Sequence, residues 1–277
     1  MTLTRREVSE LLSRNGIRPS RALGQNFVVD PNTVRRIARL AAVGAGDKVV
    51  EIGAGLGSLT LALAGTGADV VAVELDRYLT PVLRSVVEPV GVRVVEADAL
   101  RLDWSQVLSG DAASWVLVAN LPYNVATPLV LTLLETAPMI ARMLVMVQRE
   151  AGERLAAAAG DDAYGAVSVK VAYRARAVVV GRVPPTVFVP QPKVESVLVS
   201  LERLAAPAVA ADAGRLFALV EAGFAHRRKM LRGALAGVVD EDGFAAAGVR
   251  PDARAEELDV AAWGRLTECA RCGHSPS

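Results

Sequence analysis

The sequence predicts an α/β protein in which a doubly wound parallel sheet is followed by a small C-terminal helical domain. Strand-like and helix-like segments alternate from Lys48 to Glu150, which is the order of parallel strands joined by helices. The strand-like segments are nearly continuous apolar runs, as in strands covered by helices on both faces. From Gly214 onward the apolar spacing is helical, which predicts a separate domain.

The elements follow in order along the chain. Residues 4–15 predict a short helix, and Asp30 with Pro31 predicts the start of a helix that runs to about Ala42. Strands are then predicted at 48–53, 69–76, 92–98, 114–120 and 144–150, with helices at 58–67, at 80–87 and from 127. Three further strands are predicted at 168–175, 177–183 and 196–202.

An alanine- and proline-rich stretch, Ala205–Ala213, predicts the boundary between two domains. The 277 residues suffice for one large and one small domain. We expect the large domain, with its N-terminal helical segment, over 1–204. The small helical domain is expected over 214–277. It includes a C-terminal tail, which we expect to be disordered or to carry its two cysteines in the reduced state.

Composition restricts the class of protein. A hydrophobic fraction of 52% is enough for a sizeable core, and a net charge of +1 does not by itself indicate a nucleic-acid partner. Two cysteines rule out a disulfide-built fold, and the charged N-terminus has no secretory apolar region. The uncharged stretch 112–134 contains two asparagines and two prolines, so we interpret it as strand, turn and helix. A cytoplasmic protein without membrane association is expected.

A glycine-rich loop follows the first strand of the alternating region. It reads Gly53-Ala54-Gly55-Leu56-Gly57 and is preceded by Glu51. Glycines are needed where the backbone turns sharply and approaches a ligand closely. A purely structural turn is the alternative, and a dinucleotide-binding loop usually has the spacing GxGxxG instead.

Acidic residues stand at the ends of the next two predicted strands. Glu74 is placed to accept hydrogen bonds from ribose hydroxyls, and Asp98 from an adenine amino group. Either could be a solvated strand end. Together with Glu51, however, they predict a ligand crevice at the carboxyl edge of one sheet.

The fourth predicted strand ends in Asn120-Leu121-Pro122-Tyr123. Adenine N6 is a poor nucleophile, because its lone pair is delocalised into the ring. The Asn120 side-chain carbonyl and the Leu121 backbone carbonyl can accept from the amine and orient it, Pro122 fixes the backbone, and Tyr123 can stack on the base. The alternative is an Asn-Pro turn with a packed tyrosine.

Nine segments of the chain resemble the KsgA/Dim1 family of ribosomal RNA adenine dimethyltransferases, in family order over roughly residues 20 to 235. They are LGQNFVVD, VVEIGAGLGSLT, VVAVELD, VVEADAL, VANLPYNVATP, QREAGERLAA, AYGAVSV, VPPTVFVPQPKVES and FAHRRKMLRGAL. The resemblance implies a Rossmann-like methyltransferase domain that uses S-adenosylmethionine. It also implies methylation of two adjacent adenines near the 3′ end of 16S small-subunit rRNA, in ribosome biogenesis.

The resemblance also assigns roles to particular residues. Asn26 and Val28 would contact the cofactor, where Val28 replaces the leucine that is usual in bacterial relatives. Gly53, Glu74, Asp98 and Asn120 would complete that site, to which the glycine-loop pattern adds Glu51, Gly55 and Gly57. Phe188, on a stiff proline-flanked loop, would stack on the target adenine opposite Tyr123; without the resemblance, a buried loop anchor fits equally well.

Local charge predicts where RNA docks. Arg227, Arg228, Lys229 and Arg232 are expected to cluster on one helix and contact phosphates of the small subunit, an immature 30S particle. An acid-free stretch of the chain contains Lys170, Arg174, Arg176, Arg182 and Lys193. The N-terminal segment contributes three further cations, Arg14, Arg18 and Arg21. Solvated helix faces paired with nearby acids are the alternative. The oligomeric state is left open, with a monomer as the default.

The C-terminal tail carries three residues of types that bind metals. Cys269, Cys272 and His274 are too few ligands for a usual zinc site, so no metal is expected.

Three other functions are the alternatives. A large-subunit 23S rRNA methyltransferase of the macrolide-resistance type would share the motif chemistry. A non-catalytic assembly or transcription factor would usually lack the intact Asn120–Tyr123 motif. An NAD-dependent oxidoreductase would need a hydride-transfer site, for which no candidate residues are found.

Overall fold

The structure is a computed structural model that describes residues 2–20, 23–108, 115–226 and 229–270. The chain divides into two compact units, the first formed by Met1–Gly152 and Val178–Arg203, the second by Glu153–Ala177 and Leu204–Ser277. The sequence-based division differs from this over 153–177, which we had expected in the large domain. Apolar side chains of that segment belong to the core of the C-terminal helices, as with Val169 and Tyr173.

The described residues form nine strands, and all of them lie in the first unit except the first residues of β7. Their bounds are β1 (Phe27–Val28), β2 (Lys48–Ile52), β3 (Asp69–Glu74), β4 (Arg93–Glu96), β5 (Trp115–Asn120), β6 (Ile140–Gln148), β7 (Ala175–Val183), β8 (Phe188–Val189) and β9 (Ser196–Arg203).

Helices connect most of the strands and make up the C-terminal part. Their bounds are α1 (Arg5–Arg14), α2 (Pro31–Ala41), α3 (Ser58–Ala64), α4 (Thr80–Val87), α5 (Trp104–Val107), α6 (Ala126–Thr136), α7 (Arg149–Ala156), α8 (Ala166–Arg174), α9 (Ala213–Phe224), α10 (Leu231–Ala234), α11 (Glu241–Ala247) and α12 (Val260–Cys269). Within the described residues, none of them has the length and apolar character needed to cross a membrane.

The main sheet has the strand order β4-β3-β2-β5-β6-β9-β7. Strand β2 is parallel to both β3 and β5, and the pairs β3–β4 and β5–β6 are also parallel. The chain therefore builds outward from β2 in one direction and then returns to build in the other, which is the doubly wound arrangement predicted. The parallel arrangement predicted for the strands of the alternating region is confirmed, and β9, which comes from the later strand-rich segment, adds an antiparallel partner to β6.

The strand predicted at 168–175 is wrong, since this segment lies mostly in helix α8. Valines at every second position, 167, 169 and 171, resemble a strand pattern. The Gly165 N–H donates to Ser168 Oγ at the first turn (3.2 Å), and Val169 and Tyr173 are buried with the C-terminal helices. Helix capping and tertiary packing outweigh the strand preference of the valines here.

Each unit has its own apolar core. In the first, valines of the central strands, such as Val49 and Val118, pack with Ile37 of α2 and Leu83 of α4. In the second, Trp263 of α12 is fully buried among the side chains of α9 and α11. A Cβ at Gly223 would lie 2.4 Å from the Trp263 ring, so α9 needs glycine where the indole packs.

Candidate active site

The predicted site residues meet in the first unit, at the carboxyl ends of the parallel strands. A pocket opens there beside the position where β3 lies on one side of β2 and β5 on the other. Its remaining wall is the segment Leu23–Val28, which we call the N-terminal wall. The predicted residues that line the pocket are Asn26, Val28, Glu51, Gly53, Gly55, Glu74, Asp98, Asn120, Leu121, Pro122 and Tyr123.

The glycine loop adopts a backbone that other residues rarely adopt. Gly53, Gly55 and Gly57 have φ angles of 74°, 60° and 86°. A Cβ at Gly55 would lie 3.0 Å from Cε1 of Phe27, so the N-terminal wall packs directly on the loop. A Cβ at Gly57 would lie 2.6 Å from Cγ1 of Val87. Gly57 does not line the pocket, and its position lets the loop approach helix α4.

Glu74, at the end of β3, is buried and organises the backbone around it. Its Oε2 accepts from the Gly55 N–H (2.8 Å), and its Oε1 accepts from the N–H groups of Leu75 (3.0 Å) and Asp76 (2.9 Å). Burial raises the pKa of Glu74, while these backbone donors oppose the rise. Three of roughly four acceptor positions of the carboxylate are thus filled by the protein itself.

Glu51, in β2, is the most deeply buried acid of the site, with 2% of its surface exposed. Thr60 of α3 donates its hydroxyl proton to Glu51 Oε2 (2.5 Å). Burial raises the pKa of Glu51 to about 8, and the negative charge of Glu74 adds to the rise.

Asp98 lies two residues beyond the end of β4 and is the most exposed of the three acids. The Leu100 N–H donates to its Oδ1 (3.0 Å), and Arg101 Nε lies 3.6 Å from its Oδ2. With 37% of the side chain exposed, the carboxylate can reach a ligand in the pocket.

Asn120 is held by the N-terminal wall. Its Nδ2 donates to the backbone carbonyl of Asn26 (2.9 Å), and the Asn26 side chain donates in turn to the Gly24 carbonyl (3.1 Å). A carbonyl acceptor needs a donor, so this contact fixes which end of the Asn120 amide faces the wall. Its Oδ1 has no hydrogen-bond partner in the described parts of the chain and remains an acceptor for a ligand.

Tyr123 lies in the turn between β5 and α6. Its hydroxyl is 2.7 Å from Ser196 Oγ, at the start of β9. Burial raises the pKa of Tyr123, so the phenol stays neutral at physiological pH. Pro122, in the same motif, lies against the N-terminal wall, since a Cβ at Gly24 would be 3.2 Å from Pro122 Cβ.

Phe188 does not line the pocket. It is 1% exposed, and strand β8 pairs it with Val28 of β1 in a two-stranded antiparallel sheet. Its ring belongs to the core of the first unit. The arrangement expected from the sequence, with Phe188 stacked opposite Tyr123 on a base, is therefore not present here, because the β1–β8 pairing buries the ring.

A family model described as "Ribosomal RNA adenine dimethylase" matches residues 17–271. The chain belongs to this family. The match covers both units and includes every residue of the pocket named above.

Individual known proteins resemble the chain over most of its length. The ribosomal RNA small subunit methyltransferase A of Kineococcus radiotolerans is 49% identical over 274 residues, which cover 95% of this chain and 90% of the relative. The crystal structure of the 23S rRNA methyltransferase ErmE is 27% identical, has a TM-score of 0.69 and covers 88% of this chain and 98% of its own.

A dimethyladenosine transferase from Plasmodium falciparum, also solved, has the same fold. It is 23% identical, with a TM-score of 0.73 and coverage of 86% of this chain and 94% of its own. The Rossmann-like fold predicted from the sequence is thereby confirmed.

Several pocket residues of this dimethylase family member were missed by the sequence reasoning, and four of them bear on what the pocket can bind. The Ser58 hydroxyl is buried, lines the pocket and has no hydrogen-bond partner among the described residues. Leu75 and Leu100 line the pocket although 52% and 38% exposed, which is unusual for leucine. Their sequence signal was their position, one residue after Glu74 and two after Asp98. Gln25 is the fourth, and its sequence signal was its place in the segment LGQNFVVD, next to Asn26.

The predicted RNA-docking cluster of this family member is only partly described. Arg227 and Arg228 lie outside the described residues. Lys229 lies in a bend and Arg232 on α10, so the prediction that one helix carries the cluster is wrong: α9 ends at Phe224 and α10 begins at Leu231. Lys229 and Arg232 are both exposed.

The acid-free stretch and the C-terminal tail are the other two features that the sequence analysis considered. Lys170 of the acid-free stretch forms an ion pair with Glu221 (2.6 Å), which is the alternative considered for these cations. Arg21, Cys272 and His274 lie outside the described residues. The described residues contain no group of three or more possible metal ligands.

Proposed function

We propose that the chain transfers methyl groups from S-adenosylmethionine to the N6 amino groups of two adjacent adenines near the 3′ end of 16S rRNA, in ribosome biogenesis. One observation carries the proposal. Asn120 opens into the same pocket as Glu74 and Asp98, with its Nδ2 committed to Asn26 and its Oδ1 available. An amide acceptor beside a nucleoside-type pocket suits an exocyclic amine.

The residues present fit S-adenosylmethionine. Glu74 and Asp98 supply carboxylate acceptors for ribose hydroxyls and an adenine amino group, and the exposed Leu75 and Leu100 supply apolar surface for a flat base. The buried, unpartnered Ser58 hydroxyl offers a further polar contact. When bound, this cofactor supplies an electrophilic methyl group on a positively charged sulfur.

The protein's part in the transfer is to orient the target amine. Asn120 Oδ1 and the Leu121 carbonyl accept hydrogen bonds from the two N6 protons, which favours a pyramidal nitrogen with its lone pair directed at the methyl group. Tyr123 stacks on the base. In each transfer the nitrogen would gain one bond to the methyl carbon as the carbon–sulfur bond of the cofactor breaks and leaves a neutral thioether, and the nitrogen would release one proton to solvent. That proton is acidic once the nitrogen is methylated, so no strong base is needed.

The small subunit is the substrate we favour over the large one. The relative at 49% identity is named a small subunit methyltransferase, whereas ErmE, a 23S rRNA methyltransferase, is 27% identical. The large-subunit activity remains the alternative substrate, and a non-catalytic assembly or transcription factor the alternative class. The intact motif Asn120–Tyr123 favours an enzyme over the latter.

We assign methyl transfer to the first unit, which contains the whole pocket, and RNA docking to the second. Arg227, Arg228, Lys229 and Arg232 would contact phosphates of 16S rRNA in the immature 30S particle. The cofactor roles of Asn26, Val28, Glu51, Gly53 and Gly55 rest on their place in the pocket lining. The ribosomal substrate implies work in the cytoplasm.

A methyl-transfer assay with labelled S-adenosylmethionine tests the proposal. Unmethylated small subunits and large subunits are incubated separately with the protein, and the modified bases are mapped. Label on two adjacent adenines of 16S rRNA supports it, whereas label on 23S rRNA alone supports the alternative. Asn120→Ala should lose most of the activity while binding small subunits normally, and unchanged activity in this variant would remove Asn120 from the mechanism.

A further inference from the structure

The N-terminal wall is joined to the body of the pocket by two side-chain hydrogen bonds. Asn120 Nδ2 donates to the Asn26 carbonyl on one side. On the other, Gln25 Nε2 donates to Asp76 Oδ2 (2.8 Å), across 51 residues of chain. The two links lie on either side of the pocket, at the ends of β5 and β3. Both residues lie in segments that carry the family resemblance, but the sequence analysis assigns neither a role.

The Gln25–Asp76 contact has a fixed polarity, because the other polar atom of each side-chain group is held by a backbone N–H. Gln25 Oε1 accepts from the Ser20 N–H (2.7 Å), which leaves Nε2 to face Asp76. Asp76 Oδ1 accepts from the Tyr78 N–H (2.9 Å), which leaves Oδ2 to face Gln25. A glutamate at 25 would set two acceptors against each other, and an asparagine at 76 would lose one of its two acceptors.

Asp76 also ties this link to the residue expected to bind ribose. The Asp76 N–H donates to Glu74 Oε1 (2.9 Å), and Glu74 in turn accepts from Gly55 of the glycine loop. On the other side, the wall packs on that same loop through Phe27. The Gln25–Asp76 bond therefore closes a ring of contacts around the pocket.

We infer that Gln25 and Asp76 are positioning residues that hold the N-terminal wall closed over S-adenosylmethionine, so that their hydrogen bond slows its release. The inference deepens the proposed function and rests on its choice of cofactor. It does not depend on which RNA is methylated. A hydrogen bond of this kind changes an equilibrium by roughly threefold to tenfold, and more when a partly buried charge repulsion replaces it.

A reciprocal exchange tests the inference. Gln25→Glu and Asp76→Asn are made singly and together, and the affinity and dissociation rate of S-adenosylmethionine are measured by calorimetry and stopped flow. In the double variant, Asn at 76 can donate to Glu at 25, while Tyr78 and Ser20 keep their acceptors. We expect each single variant to release the cofactor at least about threefold faster and the double variant to return to within twofold of the wild type.

The chain provides a matched control. Gln106 Nε2 donates to Asp103 Oδ2 (2.9 Å), the same type of contact, between exposed side chains at α5 and outside the pocket lining. Gln106→Glu should leave cofactor release unchanged. Melting temperatures of all variants, measured without cofactor, report any general loss of stability.

The outcomes separate this inference from the proposed function. Unchanged release in both single variants, or a double variant as impaired as the worse single one, overturns the inference. The same criterion applies if the single variants fold poorly, because the double exchange is expected to restore both the melting temperature and the rate of cofactor release. If the wild type binds S-adenosylmethionine but methylates no small subunits, the proposed function fails and the inference is still decided by the release rates. If the wild type binds no S-adenosylmethionine, both fail.

Discussion

Tyr123 and Ser196 share a hydrogen bond in which their hydroxyl oxygens are 2.7 Å apart, although 73 residues separate them in the chain. Ser196 is fully buried at the start of β9, where it pairs with Gln148 of β6. The ring that we expect to stack on the target base is thus anchored to the sheet and not only to its own turn.

This anchor leads to a prediction about base positioning. Tyr123→Phe keeps the ring but removes the hydroxyl, so methyl transfer should fall by about threefold to tenfold, the size of one hydrogen bond. Ser196→Ala should have a similar effect. The double variant should be no worse than either single one, because both changes remove the same contact. Steady-state methyl transfer to small subunits checks this, and additive losses would show that the two hydroxyls act separately.

Glu74 is predicted to affect cofactor binding and loop structure together. Glu74→Ala should weaken S-adenosylmethionine binding by about tenfold to a hundredfold, since hydrogen bonds to a charged group are lost. It should also lower the melting temperature, because three backbone N–H groups lose their acceptor. Calorimetry and thermal melting measure both effects. Glu96→Ala is the control, an exposed acid opposite Glu74 in the sheet. Unchanged cofactor affinity in Glu74→Ala would contradict the assignment.

Glu51 is predicted to make the cofactor-free protein less stable at alkaline pH. Its pKa rises on folding from 4.5 to about 8, so the native state holds the proton more tightly than the unfolded chain. The stability conferred is complete below pH 4.5 and is lost as pH rises through about 8, with a total on the order of a few kcal/mol.

Glu51→Gln tests this pH dependence, because it stays neutral and can still accept from Thr60. Between pH 6 and pH 9 the melting temperature of the wild type should fall further than that of the variant. Glu135→Gln, an exposed change on α6, should follow the wild type. Parallel curves for wild type and Glu51→Gln would mean that Glu51 is ionised throughout this range.

Lys229 and Arg232 test RNA docking by the second unit. Both are exposed, and neither makes an ion pair within the described parts of the chain. Replacing both by glutamate should weaken small-subunit binding and lower the slope of log affinity against log salt by about one per lost cation. Cofactor affinity should not change, because the pocket lies wholly in the first unit.

The control for this pair is Arg84→Glu, an exposed change on α4 that removes a cation from the first unit. If the Lys229 and Arg232 variant binds small subunits as the wild type does and only melts earlier, these residues stabilise the protein and do not dock RNA.

Much of the fold and pocket could be predicted, because local patterns determine it. The apolar runs located the parallel strands, and Glu51, Glu74 and Asn120 are all found where strands end at one edge of the sheet. Features that depend on distant contacts could not be predicted. The antiparallel position of β9 depends on its pairing with β6, and no local pattern encodes the 51-residue separation of Gln25 and Asp76. The burial of Phe188 depends in the same way on its pairing with Val28.

The hydrogen bonds that Glu74 already accepts have a consequence for the design of competitive inhibitors. The backbone N–H groups of Gly55, Leu75 and Asp76 already occupy three of roughly four acceptor positions on the carboxylate, so about one strong position is left for a ligand. A compound with a single well-placed donor should therefore satisfy this side chain as fully as a complete sugar does. A scaffold without ribose could gain more affinity from the apolar surface of Leu75 and Leu100 than from a second hydroxyl.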